Sequence, residues 1–130
     1  MTSLAKTYNI LVAEDVELNF QLVNTVLSKF EPYNFNVYRA ENGKEAVNIC
    51  DKKSEIDLVI MDIRMPIMDG YQATKIIKNN NKNLPVIAHT AYCNEKDIQN
   101  ALSAGCETVI PKPLNLNEFK STIKKYIDRI

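Results

Sequence analysis

The sequence predicts one α/β domain built on a parallel sheet with helices on both faces. Two observations lead there. Short apolar runs alternate five times with segments whose apolar residues recur at helical spacing. Two of the runs, Ile10–Ala13 and Leu58–Met61, are apolar at every position, as strands covered on both faces must be. At 130 residues the chain fits one compact domain.

Residues 1–8 are polar and are expected to form an N-terminal tail, with the domain over 9–130. Asn9–Ala13 is the first strand. Leu18, Leu22, Val23, Val26, Leu27 and Phe30 then mark a helix over 17–30 and are expected on its buried face. Pro32 and Asn34 turn the chain into Phe35–Ala40, whose alternating pattern suits an edge strand. Asn42 is placed to cap a helix carrying Ala46, Val47 and Cys50. Leu58–Met61 is the third strand, and a loop with Pro66 and Gly70 leads to a helix expected to bury Ala73, Ile76 and Ile77. Leu84–His89 is the fourth strand. Asn94 caps a helix presenting Ile98, Ala101 and Leu102, and Gly105 suits its C-terminal cap. Glu107–Ile110 is the fifth strand; Leu116, Phe119, Ile123, Tyr126, Ile127 and Ile130 form the apolar face of the last helix. Right-handed crossovers make this a doubly wound (βα)5 three-layer sandwich.

Composition removes several function classes. The 16 basic and 16 acidic residues cancel, which speaks against direct contact with nucleic acid. No apolar run approaches a membrane span, and the first residues lack the apolar stretch of a secretory signal. Cys50, Cys93 and Cys106 are odd in number and lack metal-ligand spacing, so they read as reduced thiols of a cytoplasmic chain.

The informative residues lie just past the strands. Glu14-Asp15 follows the first, Asp62 the third, Thr90-Ala91 the fourth and Lys112-Pro113 the fifth. Parallel strands share one carboxyl edge, where open α/β sheets bind ligands. Three carboxylates gathered there repel, and a hard divalent cation with oxygen ligands would remove the conflict. Each group alone has a plainer reading: a polar turn, a helix cap, a surface lysine. Their joint placement favours one site.

Glu14-Asp15, Asp62 with Met65-Pro66 and Asp69-Gly70, Thr90-Ala91 and Lys112-Pro113 together resemble the receiver domain of two-component response regulators. The likeness covers almost the whole chain, and receivers of hybrid sensor histidine kinases look most similar. It implies a flavodoxin-like sheet in the order 2-1-3-4-5. It implies that Asp62 takes a phosphoryl group from a phosphohistidine, with Mg2+ (or Mn2+) held by Asp15, Asp62, the Arg64 backbone carbonyl and, through water, Glu14. Lys112 would pair with phosphoryl oxygens, Thr90 would bond them through its hydroxyl, and the small Ala91 would leave them room. The Lys112-Pro113 bond is cis in the family. The implied partner is a histidine kinase or a histidine-phosphotransfer protein docking on the first helix and nearby loops. A homodimer, self-catalysed dephosphorylation and attachment to a hybrid kinase are all compatible with the family.

Two residues depart from the pattern. Glu14 stands where Asp is commoner. Val109 stands three residues before the lysine, where the family usually has Tyr or Phe, and Tyr92 is a candidate substitute. His89 reads as strand packing beside the site. Two rival functions fit the same fold. A metal-dependent phosphohydrolase would want an acid two residues after the nucleophile, where this chain has Arg64. A phosphorylation-independent interaction module would have lost one of the acids, the lysine or the acceptor, and none is lost.

Overall fold

The computed structural model describes residues 6–53 and 55–130. Ten elements alternate: β1 (Thr7–Ala13), α1 (Glu17–Ser28), β2 (Asn34–Ala40), α2 (Gly43–Lys52), β3 (Leu58–Met61), α3 (Gly70–Asn80), β4 (Val86–Thr90), α4 (Glu95–Ala104), β5 (Thr108–Pro111) and α5 (Leu116–Ile127). The five strands form one parallel sheet in the order β2-β1-β3-β4-β5. This is the predicted doubly wound fold with the expected edge strand. One apolar layer lies between the sheet and α2, α3 and α4, around Val59, Met61, Ala73 and Ile77. The other lies under α1 and α5, around Ile60, Ile87, Leu27, Phe119 and Ile123. Every residue of β3 is buried, as its unbroken apolar run requires.

Helix ends follow their capping chemistry. The Asn42 side chain accepts from Glu45 N at 2.8 Å, and Asp69 and Asn94 each complete a reciprocal capping box with Gln72 and Asp97. Gly105 closes α4 at φ +116°, a left-handed conformation that suits glycine.

Several boundaries and faces differ from expectation. β1 starts at Thr7 rather than Asn9, because Tyr8 pairs with Phe35 across the sheet and packs its ring near Tyr33 and Phe35. The remaining residues 1–5 of the expected tail lie outside the described residues. β4 starts at Val86 rather than Leu84, since Lys78 Nζ binds the carbonyls of Lys82 and Leu84 and holds that stretch in a turn. β5 is shifted by one residue, to Thr108–Pro111.

On α1 only Val23 and Leu27 are buried, whereas Leu18 is 79% and Leu22 51% exposed. Ile76, Ile98, Leu102, Leu116 and Ile130 are also exposed, against the sequence reading. The cause is shared by α3 and α4. Beside Ile77 of α3, they lie on the sheet through small residues, Ala73 and Thr74 in α3 and Ala101 and Ala104 in α4, and Ile76, Ile98 and Leu102 face outward. Among the described residues no helix is long and apolar enough to cross a membrane.

Candidate functional site

The carboxyl edge of the sheet gathers the residues that the sequence singles out. Asp62 N donates to Ala13 O at 3.0 Å and Glu14 N to Ala40 O at 2.9 Å, so the ladder continues past β1 and β3 and fixes where both acids emerge. Carboxylate oxygens of Glu14, Asp15 and Asp62 lie within 4.8 Å of one another, close enough to share a metal ion. Lys112 N donates to Thr90 O at 2.9 Å, which carries the lysine back beside β4. Its Nζ reaches Glu14 Oε1 at 2.6 Å and Asp62 Oδ2 at 3.5 Å. The Lys112-Pro113 bond is cis, as the resemblance implies.

The electrostatics follow from crowding. Glu14 is 2% and Asp62 7% exposed. Burial, then the Glu14 carboxylate, push the Asp62 pKa up to about 6, and Lys112 partly offsets them. At neutral pH Asp62 is therefore mostly ionised, but at a cost that a cation would relieve.

The other groups surround this cluster. Thr90 is buried at the end of β4, and its Oγ1 accepts from Tyr92 N at 3.1 Å. Ala91 is exposed and borders a cavity of about 300 Å³ together with Asn19, Leu22, His89, Lys112 and Pro113. Arg64 is exposed on the loop after β3, and its guanidinium lies 4.2 Å from the centroid of the Tyr92 ring. Val109 is half-buried against the layer under α2, α3 and α4. His89 packs as expected, its ring centroid 5.9 Å from that of Phe119. Burial, then Lys112, push its pKa down to about 4, and its Nε2 is buried without a hydrogen-bond partner among the described residues.

Glycines shape the loop after β3. A Cβ on Gly70 would stand 2.3 Å from Asp62 O, so a side chain there would displace the acid's own peptide. A Cβ on Gly43 would lie 2.2 Å from Met68 O, while the Gly43 N–H donates to that carbonyl at 3.0 Å, a contact that the sequence reading missed. Between them, Met68 N donates to Pro66 O at 2.7 Å around Ile67, whose φ is +71°. The sequence also did not reveal Arg39, which reaches the Glu14 and Asp15 carbonyls from β2.

A five-stranded doubly wound sheet, with three acids and a lysine converging beyond its central strands, defines a small acidic site suited to a cation and a phosphoryl group. The model of the response regulator receiver domain matches residues 10–124, and the chain belongs to that family. Among curated proteins it is 33% identical over 121 residues to the polar-differentiation response regulator DivK of Brucella anthropi, covering 92% of this chain and 95% of that one. Among solved structures it is similar to the receiver domain of a sensor histidine kinase from Pseudomonas aeruginosa, which has a magnesium ion coordinated in its active-site cleft. That match has a TM-score of 0.84 and 29% identity, and covers 95% of this chain and 99% of the other. It is also similar to the receiver domain of the response regulator Ssk1, solved with the histidine phosphotransfer protein Ypd1 of Saccharomyces cerevisiae. There the TM-score is 0.82 and the identity 27%, over 95% of this chain and 91% of the other.

Proposed function

We propose that Asp62 is the phosphoacceptor of this receiver and that Mg2+ is the cation of its site. The observation that carries this is the convergence of Glu14, Asp15 and Asp62 on one point with Lys112 beside them. An Asp62 oxygen attacks phosphorus, the P–O bond forms as the P–N bond to the donor histidine breaks, and the electron pair leaves with the imidazole. Bound magnesium supplies positive charge to the phosphoryl oxygens. Asp15, Asp62 and the Arg64 carbonyl would hold it, with Glu14 beside them; Mn2+, which also favours oxygen ligands, is the alternative. Lys112 exchanges Glu14 for a phosphoryl oxygen, Thr90 donates its hydroxyl to another, and Ala91 leaves the space open. Positioning and charge account for such a transfer without a general base.

The donor is a histidine kinase or histidine-phosphotransfer protein in the cytoplasm. Supporting this, Val16, Leu18 and Leu22 expose apolar surface at the start of α1 beside the cavity that Lys112 borders.

Intact mass after incubation with magnesium and acetyl phosphate tests the acceptor. Wild type is expected to gain one phosphoryl group and Asp62→Asn none. A stable phosphoryl adduct on the variant would place the acceptor elsewhere.

Conformational output is expected to be muted along α4, β5 and α5, because Val109 has no ring to follow Thr90 toward a phosphate. Beryllofluoride, which mimics the phosphoryl group, should shift amide resonances mainly around Asp62, Thr90 and Tyr92. Large continuous shifts over residues 94–110 and through α5 would contradict this.

A further inference from the structure

We propose that Arg39 is a positioning residue for the cation site: from the edge strand it clamps the peptide carbonyls of the two acids that follow β1. This rests on the reading of Asp15 and Asp62 as metal ligands. Arg39 lies in β2, paired with Val12 of β1. Its Nε and Nη2 donate to Glu14 O at 3.2 and 3.1 Å, and Nη2 also reaches Asp15 O at 3.4 Å. The remaining end, Nη1, pairs with the Glu17 carboxylate. The guanidinium carbon sits 5.0 Å from the centroid of the Phe20 ring. One planar cation thus spans Glu14, Asp15, Glu17 and Phe20, the whole turn from β1 into α1.

The chemistry explains why such a clamp would matter. Glu14, Asp15 and Asp62 repel one another, so the turn that carries the first two must be held against that repulsion. Among the described residues no backbone N–H outside the regular ladders donates to either carbonyl, and Glu14 is buried, so without Arg39 its carbonyl would lose its partner. Guanidinium is suited to the task, since its rigid fork of donors binds two acceptors at once and its charge is permanent. Lys112 acts differently, on the carboxylates themselves. The bonds of Arg39 go to the backbone behind the acids and to Glu17, so it acts on the cation through the position of Glu14 and Asp15. Phe20 and Glu17 in turn hold the guanidinium in place.

Calorimetric magnesium titration of wild type, Arg39→Lys, Arg39→Gln and Glu17→Gln tests this, together with the magnesium dependence of phosphorylation by acetyl phosphate. Loss of an outer group that orients a ligand typically weakens metal affinity by about 10- to 100-fold, so Arg39→Gln is expected to bind magnesium about tenfold more weakly. Arg39→Lys, which keeps the charge and one carbonyl contact, should fall between the two. Glu17→Gln removes only the outer support of the guanidinium and should weaken magnesium binding less than Arg39→Gln does. The phosphorylation rate of Arg39→Gln at saturating magnesium should return to within about twofold of wild type, since only positioning is lost. A merely structural residue would not divide affinity from maximal rate in this way. Wild-type magnesium affinity in Arg39→Gln overturns the proposal, and so does a rate loss that saturating magnesium does not repair. If Arg39→Gln fails to fold, wild-type affinity in folded Arg39→Lys overturns it. Failure of the wild-type protein itself to bind magnesium would instead remove the cation-site reading on which the proposal stands.

Discussion

Lys112→Met is expected to impair phosphotransfer and to weaken the fold at the same time. A charged donor aimed at the oxygens of a transferring group is typically worth about 10²–10³ in rate, so phosphorylation by acetyl phosphate should slow by that order. The stability effect comes from Glu14. Lys112 Nζ lies 2.6 Å from Glu14 Oε1, and the Glu14 side chain is only 3% exposed. Methionine keeps the apolar stem but leaves that carboxylate buried without its cation. Breaking one side of a partly buried pair costs about 1–3 kcal/mol. The sequence points only to the role of the lysine in phosphotransfer; the salt bridge adds a role in the fold, because a free surface ammonium and one satisfying a buried carboxylate look identical in sequence. Magnesium should restore more stability to the variant than to wild type, since a bound cation replaces the missing charge without competing with the ammonium. Urea midpoints with and without magnesium, beside phosphorylation rates, check both effects. A wild-type midpoint in metal-free buffer would contradict the stability argument, and a wild-type rate would remove Lys112 from the transfer.

The difference between what was legible and what was not has a physical pattern. Strand-end residues were legible because parallel strands share a direction: once Ile10–Ala13 and Leu58–Met61 were read as strands, Glu14 and Asp62 had to emerge at the same edge. Caps were legible because Asn42, Asn94 and Gly105 act within a few residues of themselves. Helix faces were less so. Leu18 and Leu22 satisfy a helical period, but period alone does not say which side of a wide apolar stripe meets the sheet. Their exposure leaves an apolar surface beside the site, which the proposed partner would cover. Long-range backbone contacts were not legible at all. Nothing local marks Arg39 as reaching the Glu14 carbonyl or Gly43 as lying against Met68.

Asp62→Asn should change how stability depends on pH, and in a direction that exposes His89. In metal-free buffer two buried groups act against each other. The Asp62 pKa is raised from 3.8 to about 6, so between those values the folded protein binds more protons than the unfolded chain, and stability falls as pH rises. The His89 pKa is lowered from 6.5 to about 4, so over nearly the same window the unfolded chain binds more protons, and stability rises with pH. In wild type the two slopes largely cancel. Asparagine removes the first. At pH above 7 the variant should be more stable than wild type by about 1–2 kcal/mol, the full linkage value of roughly 3 being reduced by solvent screening at an open site. Between pH 6.5 and pH 4 it should then lose about 2–3 kcal/mol relative to its own neutral value, as the unfolded chain takes up a proton that buried His89 refuses. Chemical denaturation at closely spaced pH values, in chelator, measures both curves. A second change, His89→Leu in the Asp62→Asn background, should flatten the acid limb, leaving the ordinary titration of surface carboxylates below about pH 5. An acid limb unaltered by His89→Leu would assign the slope to another group. A variant no more stable than wild type at neutral pH would mean that the ionised Asp62 carboxylate costs the fold nothing, and the case for a cation that relieves it would lose its electrostatic ground.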